Sequence, residues 1–263
     1  MKLEARVEGV GLVGPGFTSW NEGRRLLDAS AYVPRPCVIP VPSALPANER
    51  RRAGKSVSLA LAAGLEAASE ADWSTRDLVT IFASSSGDGE NCHQICEALA
   101  SDDRAISPTR FHNSVHNAPA GYWGIATGAM RAADCVAAHD ASFGAGLLEA
   151  MTRIAVEPEQ PVLLIAYDAP YPEPLHAVRT IADCFAVALV LTRRSSSKAA
   201  PSMTLETCHA RAEMLADVAL ERLRAHIPAA RCLPLLSLLA RGSSGETVIE
   251  YLDGLGLRVG VTA

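Results

Sequence analysis

The chain has 263 residues, 49% of them hydrophobic and 20% charged, with a formal net charge of −5. That length suits one large domain, or one domain with a small appendage, and the composition excludes extensive disorder. The basic residues form no long run, which disfavours nucleic-acid binding. The longest stretch without Asp, Glu, Lys or Arg, Phe111–Met130, holds His112, Asn113, His116, Asn117 and Pro119, so no membrane insertion is expected.

Glu4 and Glu8 stand where a signal peptide would be apolar. Seven cysteines at irregular spacing read as thiols of a reducing cytoplasm. Aromatic residues are only 5%, a mix that fits tightly packed helices on a sheet.

In chain order, Ala5–Gly14 reads as a strand leaving into a Gly-Pro turn, and Trp20–Leu27 as a short helix. Five prolines between residues 34 and 46 predict an extended loop. Asn48 is expected to cap the basic turn Arg50-Arg51-Arg52. A helix follows over Lys55–Glu70, with a small apolar face of Val57, Leu61, Gly64, Leu65 and Ala68. Leu78–Ala83 predicts a buried strand, followed by a Ser-Gly turn and a helix to about Ala100. Thr109–Ala120 reads as a polar loop and Ala118–Thr127 as helical. Cys135–Ala138 reads as a short strand, and Asp140-Ala141-Ser142 opens a helix to about Ile154. Val162–Tyr167 and Cys184–Leu191 are apolar throughout, so both faces of the sheet are covered.

Arg193–Pro201 reads as a linker. Beyond it, Thr204–Cys208 predicts a strand, Ala212–Ala225 a helix, Pro234–Ala240 and Thr247–Leu252 short helical patterns, and Leu257–Val261 a last strand. Alternating strands and helices predict an α/β layered domain. The tail is too short for much core of its own and is expected to pack on that domain.

Several motifs carry little chemistry. Gly87-Asp88-Gly89 lacks the third glycine of a dinucleotide fingerprint, and Asp88 and Glu90 repel phosphate, so it reads as a tight turn. Cys92, His93 and Cys96 lack further zinc ligands, and the two cysteines read as buried core residues. His112 and His116 are spaced to share a metal on a helix but lack a zinc-protease glutamate. A polar loop at an interface explains them better. Cys208 and His209 point to opposite faces of a strand. No Gly-x-Ser-x-Gly elbow occurs.

Asp140 is the most informative position. It follows an apolar strand and opens a helix of small residues, where α/β enzymes place nucleophiles and where a helix N-terminus favours negative charge. Asp is also a preferred N-cap and needs no further reason to stand there.

The order of these segments resembles the N-terminal half of the β-ketoacyl synthases, a thiolase-type fold. Pro46–Trp73 is similar to the family's basic turn and long small-residue helix, and Leu78–Gly89 to its strand and glycine turn. Phe111–Gly128 is similar to the Phe-Pro-Asn…Asn-Ala-x-Ala-Gly segment of its dimer interface. Cys135–Ala150 resembles the nucleophile elbow Thr-Ala-Cys-x-Ser-Gly, and Cys184–Thr192 the strand closing the first half.

The resemblance implies a thiolase-like, layered α-β-α half-fold over residues 1–198. It implies a mixed, mostly parallel sheet, with a small α/β extension over 199–263. It puts Asp140 in the place of the acyl-accepting cysteine, with His139 as the other candidate for that slot. Ser142 keeps the family's serine. The second-half motifs His-Gly-Thr-Gly-Thr and Gly-His are absent, so condensation is not expected.

The likeness is to short chain length factors that accompany an active synthase in bacterial aryl polyene, xanthomonadin-like or dialkylresorcinol pigment synthesis. It implies a non-catalytic subunit whose partner is an active β-ketoacyl synthase, with an acyl-carrier protein contacted indirectly. No cofactor and no metal is implied. Phe111, His112, Asn113, His116, Asn117, Tyr122, Trp123 and Phe143 would face the partner or line its acyl tunnel, and Arg50, Arg51 and Arg52 would touch the carrier protein. For Tyr122, Trp123 and Phe143, core packing explains the same residues. The competing readings are a small thioester-handling enzyme using Cys135 or another cysteine, and a homodimeric scaffold.

Overall fold

The computed structural model describes residues 2–193 and 200–263. Eight strands form one sheet: β1 (Leu3–Val13), β2 (Val79–Ala83), β3 (Ala133–Val136), β4 (Val162–Asp168), β5 (Phe185–Thr192), β6 (Ser202–Cys208), β7 (Gly245–Leu252) and β8 (Leu255–Thr262). Their order is β3-β2-β4-β5-β1-β6-β8-β7. The sheet is mixed, as expected, but it is not mostly parallel. Only β2 with β3 and β2 with β4 run parallel, and every other neighbouring pair is antiparallel. The unbroken apolar runs of β4 and β5 mark two covered faces, as expected, but carry no strand direction, because an antiparallel strand covered on both faces reads like a parallel one.

Helices cover both faces. On one lie α3 (Lys55–Ala71) and α6 (Ala118–Thr127), and on the other α1 (Trp20–Asp28), α7 (Ser142–Val156) and α10 (Leu233–Arg241). β4 shows why: Leu163, Ile165 and Tyr167 point into the first cluster and Val162, Leu164 and Ala166 into the second. A strand's side chains alternate between faces, so two covered faces need apolar residues at every position.

The small residues of α3 follow from its approach to β1. A Cβ built on Gly11 would lie 1.9 Å from the Ala63 carbonyl oxygen, and one on Gly9 2.2 Å from that of Ala67. β6 pairs with only Leu3–Arg6 of β1. Beyond that, Glu66 of α3 accepts the Leu12 N–H at 2.8 Å, and Glu70 accepts that of Val10. Side chains thus satisfy backbone donors that a strand would otherwise pair.

The linker expected at Arg193–Pro201 and the boundary between 198 and 199 fall mainly on residues 194–199, outside the described residues. The segment after them extends the same sheet through β6, β8 and β7.

Four local expectations are corrected. Asn48 lies inside a short helix, α2 (Ala47–Arg50), whose N-cap is Pro46. Part of the expected polar loop is helical, as α5 (Pro108–Asn113), because Pro108 suits a first helical turn. The helix expected over Ala212–Ala225 is α9 (Val218–His226), begun late because Asp217 accepts the N–H groups of Ala219 and Leu220 at 2.8 and 2.9 Å. Thr247–Leu252 is strand: Leu252 pairs Leu255 across Asp253-Gly254, a dipeptide that favours tight hairpins over helix.

Candidate functional site: the elbow after strand β3

β3 passes into a 3-10 turn, His139–Ala141, and then into α7. The strain of this elbow sits on His139, whose φ is 52°. Left-handed backbone is uncommon for a residue with a Cβ and concentrates at functional turns. The Ser142 hydroxyl holds the turn, donating to the His139 carbonyl at 2.7 Å and accepting the Ala138 N–H at 3.0 Å.

Asp140 does not cap α7, which has Ala141 at its N-cap and no side-chain capping bond. Its carboxylate instead lies between two guanidiniums, 2.8 Å from Arg179 and 3.1 Å from Arg231. Arg231 also pairs with Glu250, which lies 3.2 Å from Arg224, which in turn lies 2.7 Å from Glu221. An alternating chain of charges thus runs from the elbow into α9 and β7. Its later members were not foreseen, because nothing in the sequence links Arg231 or Glu250 to Asp140.

His139 and Asp140 open onto a cleft of about 700 Å³, whose far wall includes His209, Tyr251 and Gly254. A pocket of about 210 Å³ lies on the other side of Asp140 and Arg231, lined by Val178, Thr180 and His226. His209 is exposed, its Nδ1 3.1 Å from the Gly254 carbonyl oxygen.

Behind the elbow, Asp168 at the end of β4 is fully buried. It accepts from the Ser85 N–H and hydroxyl, both at 2.8 Å, the Ala229 N–H at 2.9 Å and the Ser84 hydroxyl at 3.3 Å. Burial outweighs these bonds and pushes its carboxyl up to about 6. An Asp ending an apolar strand was the signal that could have found it.

The expected interface residues separate into two kinds. Phe111 (68% exposed), His112 and Asn117 are on the surface. Asn113 is buried, donating to the Arg52 carbonyl at 2.8 Å and accepting the Tyr122 hydroxyl at 3.1 Å. His116 is half-buried, 3.3 Å from the Ser84 carbonyl oxygen. His112 and His116 do not share a helix, because α5 ends at Asn113.

Tyr122, Trp123 and Phe143 are at most 2% exposed. Trp123 stands edge-on to Phe82 at 6.5 Å, while Phe143 packs on the opposite face of the sheet. They are core residues and line no common tunnel within this chain. In the same stretch of sequence as Phe111, however, Val115, Ile125 and Met130 are also exposed (Met130 by 93%). The neighbouring helix α4 (Gly89–Ala100) buries no residue, and β3 is an outermost strand only four residues long.

Arg50, Arg51 and Arg52 are exposed. Arg50 ties down the proline-rich loop through the Ser43 and Leu45 carbonyls at 3.2 and 2.9 Å, and Arg52 lies 3.6 Å from Glu49.

All seven cysteines are unpaired. Burial raises the Cys135 thiol, with Asp134 adding to the effect. It pushes Cys37 up to about 12 and Cys184 to about 11. Thiolate, the reactive form, is therefore scarce at these sites. Gly87-Asp88-Gly89 is a turn in which Asp88 caps α4, accepting the Asn91 N–H at 3.0 Å. Among the described residues, no three His, Cys, Asp or Glu side chains are grouped to hold a metal ion. Nor is any described helix long and apolar enough to cross a membrane.

Residues 20–238 match the family model described as "Beta-ketoacyl synthase, N-terminal domain". No curated protein matches. The fold is similar to a chain of the ketosynthase ApeO in complex with its chain length factor ApeC from Xenorhabdus doucetiae. That match has a TM-score of 0.74 and 24% identity, and covers 98% of this chain and 99% of that one. The ishigamide ketosynthase/chain length factor gives a TM-score of 0.71 at 13% identity, over 98% and 99%. The AntDE–AntF assembly, a type II PKS acyl-carrier protein in complex with its ketosynthase, gives 0.77 at 10% identity, over the whole of both chains.

Proposed function

The chain belongs to the β-ketoacyl synthase N-terminal-domain family, and from that premise we propose that it is a non-catalytic, chain-length-factor-like subunit that pairs with an active ketosynthase. The observation that carries this reading is the elbow. Its strained residue is His139, not a cysteine, and the next residue, Asp140, is held in ion pairs by Arg179 and Arg231. A paired carboxylate is a poor acyl acceptor, and its product would be a labile mixed anhydride. The nearest thiol in sequence, Cys135, sits half-buried in β3 with its pKa raised, which argues against a cysteine-dependent transferase.

Exposed Phe111, Val115, Ile125 and Met130, and the outermost position of β3 among the described strands, support a partner surface. Likeness to chains of ketosynthase–chain length factor complexes supports a synthase as that partner. By the same likeness its setting is polyketide or polyene assembly, with an acyl-carrier protein reached through the synthase. Arg51 and Arg52 remain candidates for that outer contact.

Co-expression with a synthase encoded beside it tests the reading. The expected result is a stable one-to-one complex in which acyl groups load only on the synthase cysteine. A chain that stays alone, or that is itself acylated on a cysteine by acyl-carrier protein, would overturn it.

A further inference from the structure

We infer that Arg179 holds apart a latent His139–Asp140 dyad, which, once released, accepts acyl groups from activated esters and thioesters. The inference deepens the non-catalytic reading and rests on it: the elbow is disarmed by a blocking residue as well as by the missing cysteine.

The geometry is specific. His139 Nδ1 lies 3.6 Å from Asp140 Oδ1, beyond hydrogen-bond reach. Arg179 Nη2 donates to that same oxygen at 2.8 Å. The other arm of the guanidinium contacts His139 Nε2 and lies 3.5 Å from Nδ1. Arg179 therefore takes the carboxylate oxygen that would orient the imidazole, and it occupies Nε2, the ring nitrogen that would attack an acyl donor. His139 is otherwise well placed: 71% of its side chain is exposed, on a strained turn at the edge of the 700 Å³ cleft.

With Arg179 gone, Asp140 Oδ1 is free to accept the Nδ1 proton. That bond fixes the tautomer whose Nε2 lone pair is nucleophilic, the logic by which a carboxylate activates an imidazole. Nε2 would attack the acyl carbon, the bond to the thiolate or phenolate would break, and water would cleave the acyl-imidazole to a carboxylic acid and free imidazole. Arg231 keeps its hold on the other Asp140 oxygen at 3.1 Å, so the carboxylate stays in place.

The probes are diethyl pyrocarbonate, read residue by residue by mass spectrometry, and p-nitrophenyl acetate. His209, exposed in the same cleft, is the internal reference. In the native chain His139 should react more slowly than His209 despite its exposure. In Arg179→Ala, modification of His139 and ester hydrolysis should rise about tenfold or more, with His209 unchanged. Adding His139→Asn should abolish the gain, and adding Asp140→Asn should remove most of it.

Equal reactivity of His139 and His209 in the native chain overturns the inference. So does a folded Arg179→Ala with an unchanged ratio, or hydrolysis that survives His139→Asn. Arg179→Gln serves if the alanine variant does not fold. An inert Arg179→Ala that still binds the synthase sinks only the dyad. Selective unmasking in a chain that never binds a synthase sinks only the subunit reading.

Discussion

Asp168 accepts the backbone N–H of Ala229 at 2.9 Å across 61 residues of sequence, and this bond joins the end of β4 to the 3-10 segment Pro228–Cys232 behind the elbow. The same carboxylate holds the Ser84-Ser85 turn, so one buried charge fixes three pieces of chain around the site. Burial raises its pKa from 3.8 to about 6 in the fold. The folded state therefore binds more protons than the unfolded chain between those values. Stability from this group is fully present below about pH 4, falls as pH rises to about 6, and is then flat, a loss of about 3 kcal/mol. Urea unfolding at stepped pH should show that slope in the native chain and its absence in Asp168→Asn.

Gly11→Ala should cost roughly 3 kcal/mol or prevent folding, because the new methyl meets the Ala63 carbonyl at 1.9 Å and two backbones must part. Gly121→Ala, on α6 with nothing within 4 Å of the added carbon, should instead stabilise by about 0.5–1 kcal/mol. Paired denaturant melts of the two variants check both signs.

Phe111→Asp should leave the melting temperature unchanged, since the ring is 68% exposed, and weaken binding to the synthase by about tenfold or more. Calorimetric titration of the partner measures it. Undiminished binding would move the interface off the α5 face.

Breaking the charge chain should cost little at its outer end and more within. Asp140, with 41% of its side chain exposed, should lose about 1 kcal/mol as Asn. Arg231→Ala should cost more, because Arg231 is only 15% exposed and serves both Asp140 and Glu250. A double-mutant cycle on Asp140 and Arg231 in a thermal melt gives their coupling.

Most strands and the elbow were legible because they are local. An apolar run, a short polar turn and a small-residue helix announce themselves in a few residues. The direction of the strands was not, since a twice-covered strand carries no mark of its neighbour's sense. β7 departs from the helical pattern expected over Thr247–Leu252, and its local marks are the β-branched Thr247, Val248 and Ile249 and the hairpin dipeptide Asp253-Gly254. Within the elbow, the sequence left His139 and Asp140 as rivals for one slot, and only the backbone puts the strain on His139. The partners of Asp140 were out of reach: Arg179 lies 39 residues away, and no local periodicity relates a charge on one loop to a charge on another.

The charge chain also divides the sequence unevenly. Of its six members, Arg224, Glu221, Arg231 and Glu250 all follow residue 200. Asp140 and Arg179 precede it, so the segment that extends the sheet through β6, β8 and β7 also brings the second cation to the elbow. Removing that segment would take away Arg231 and the ion pair on the second Asp140 oxygen.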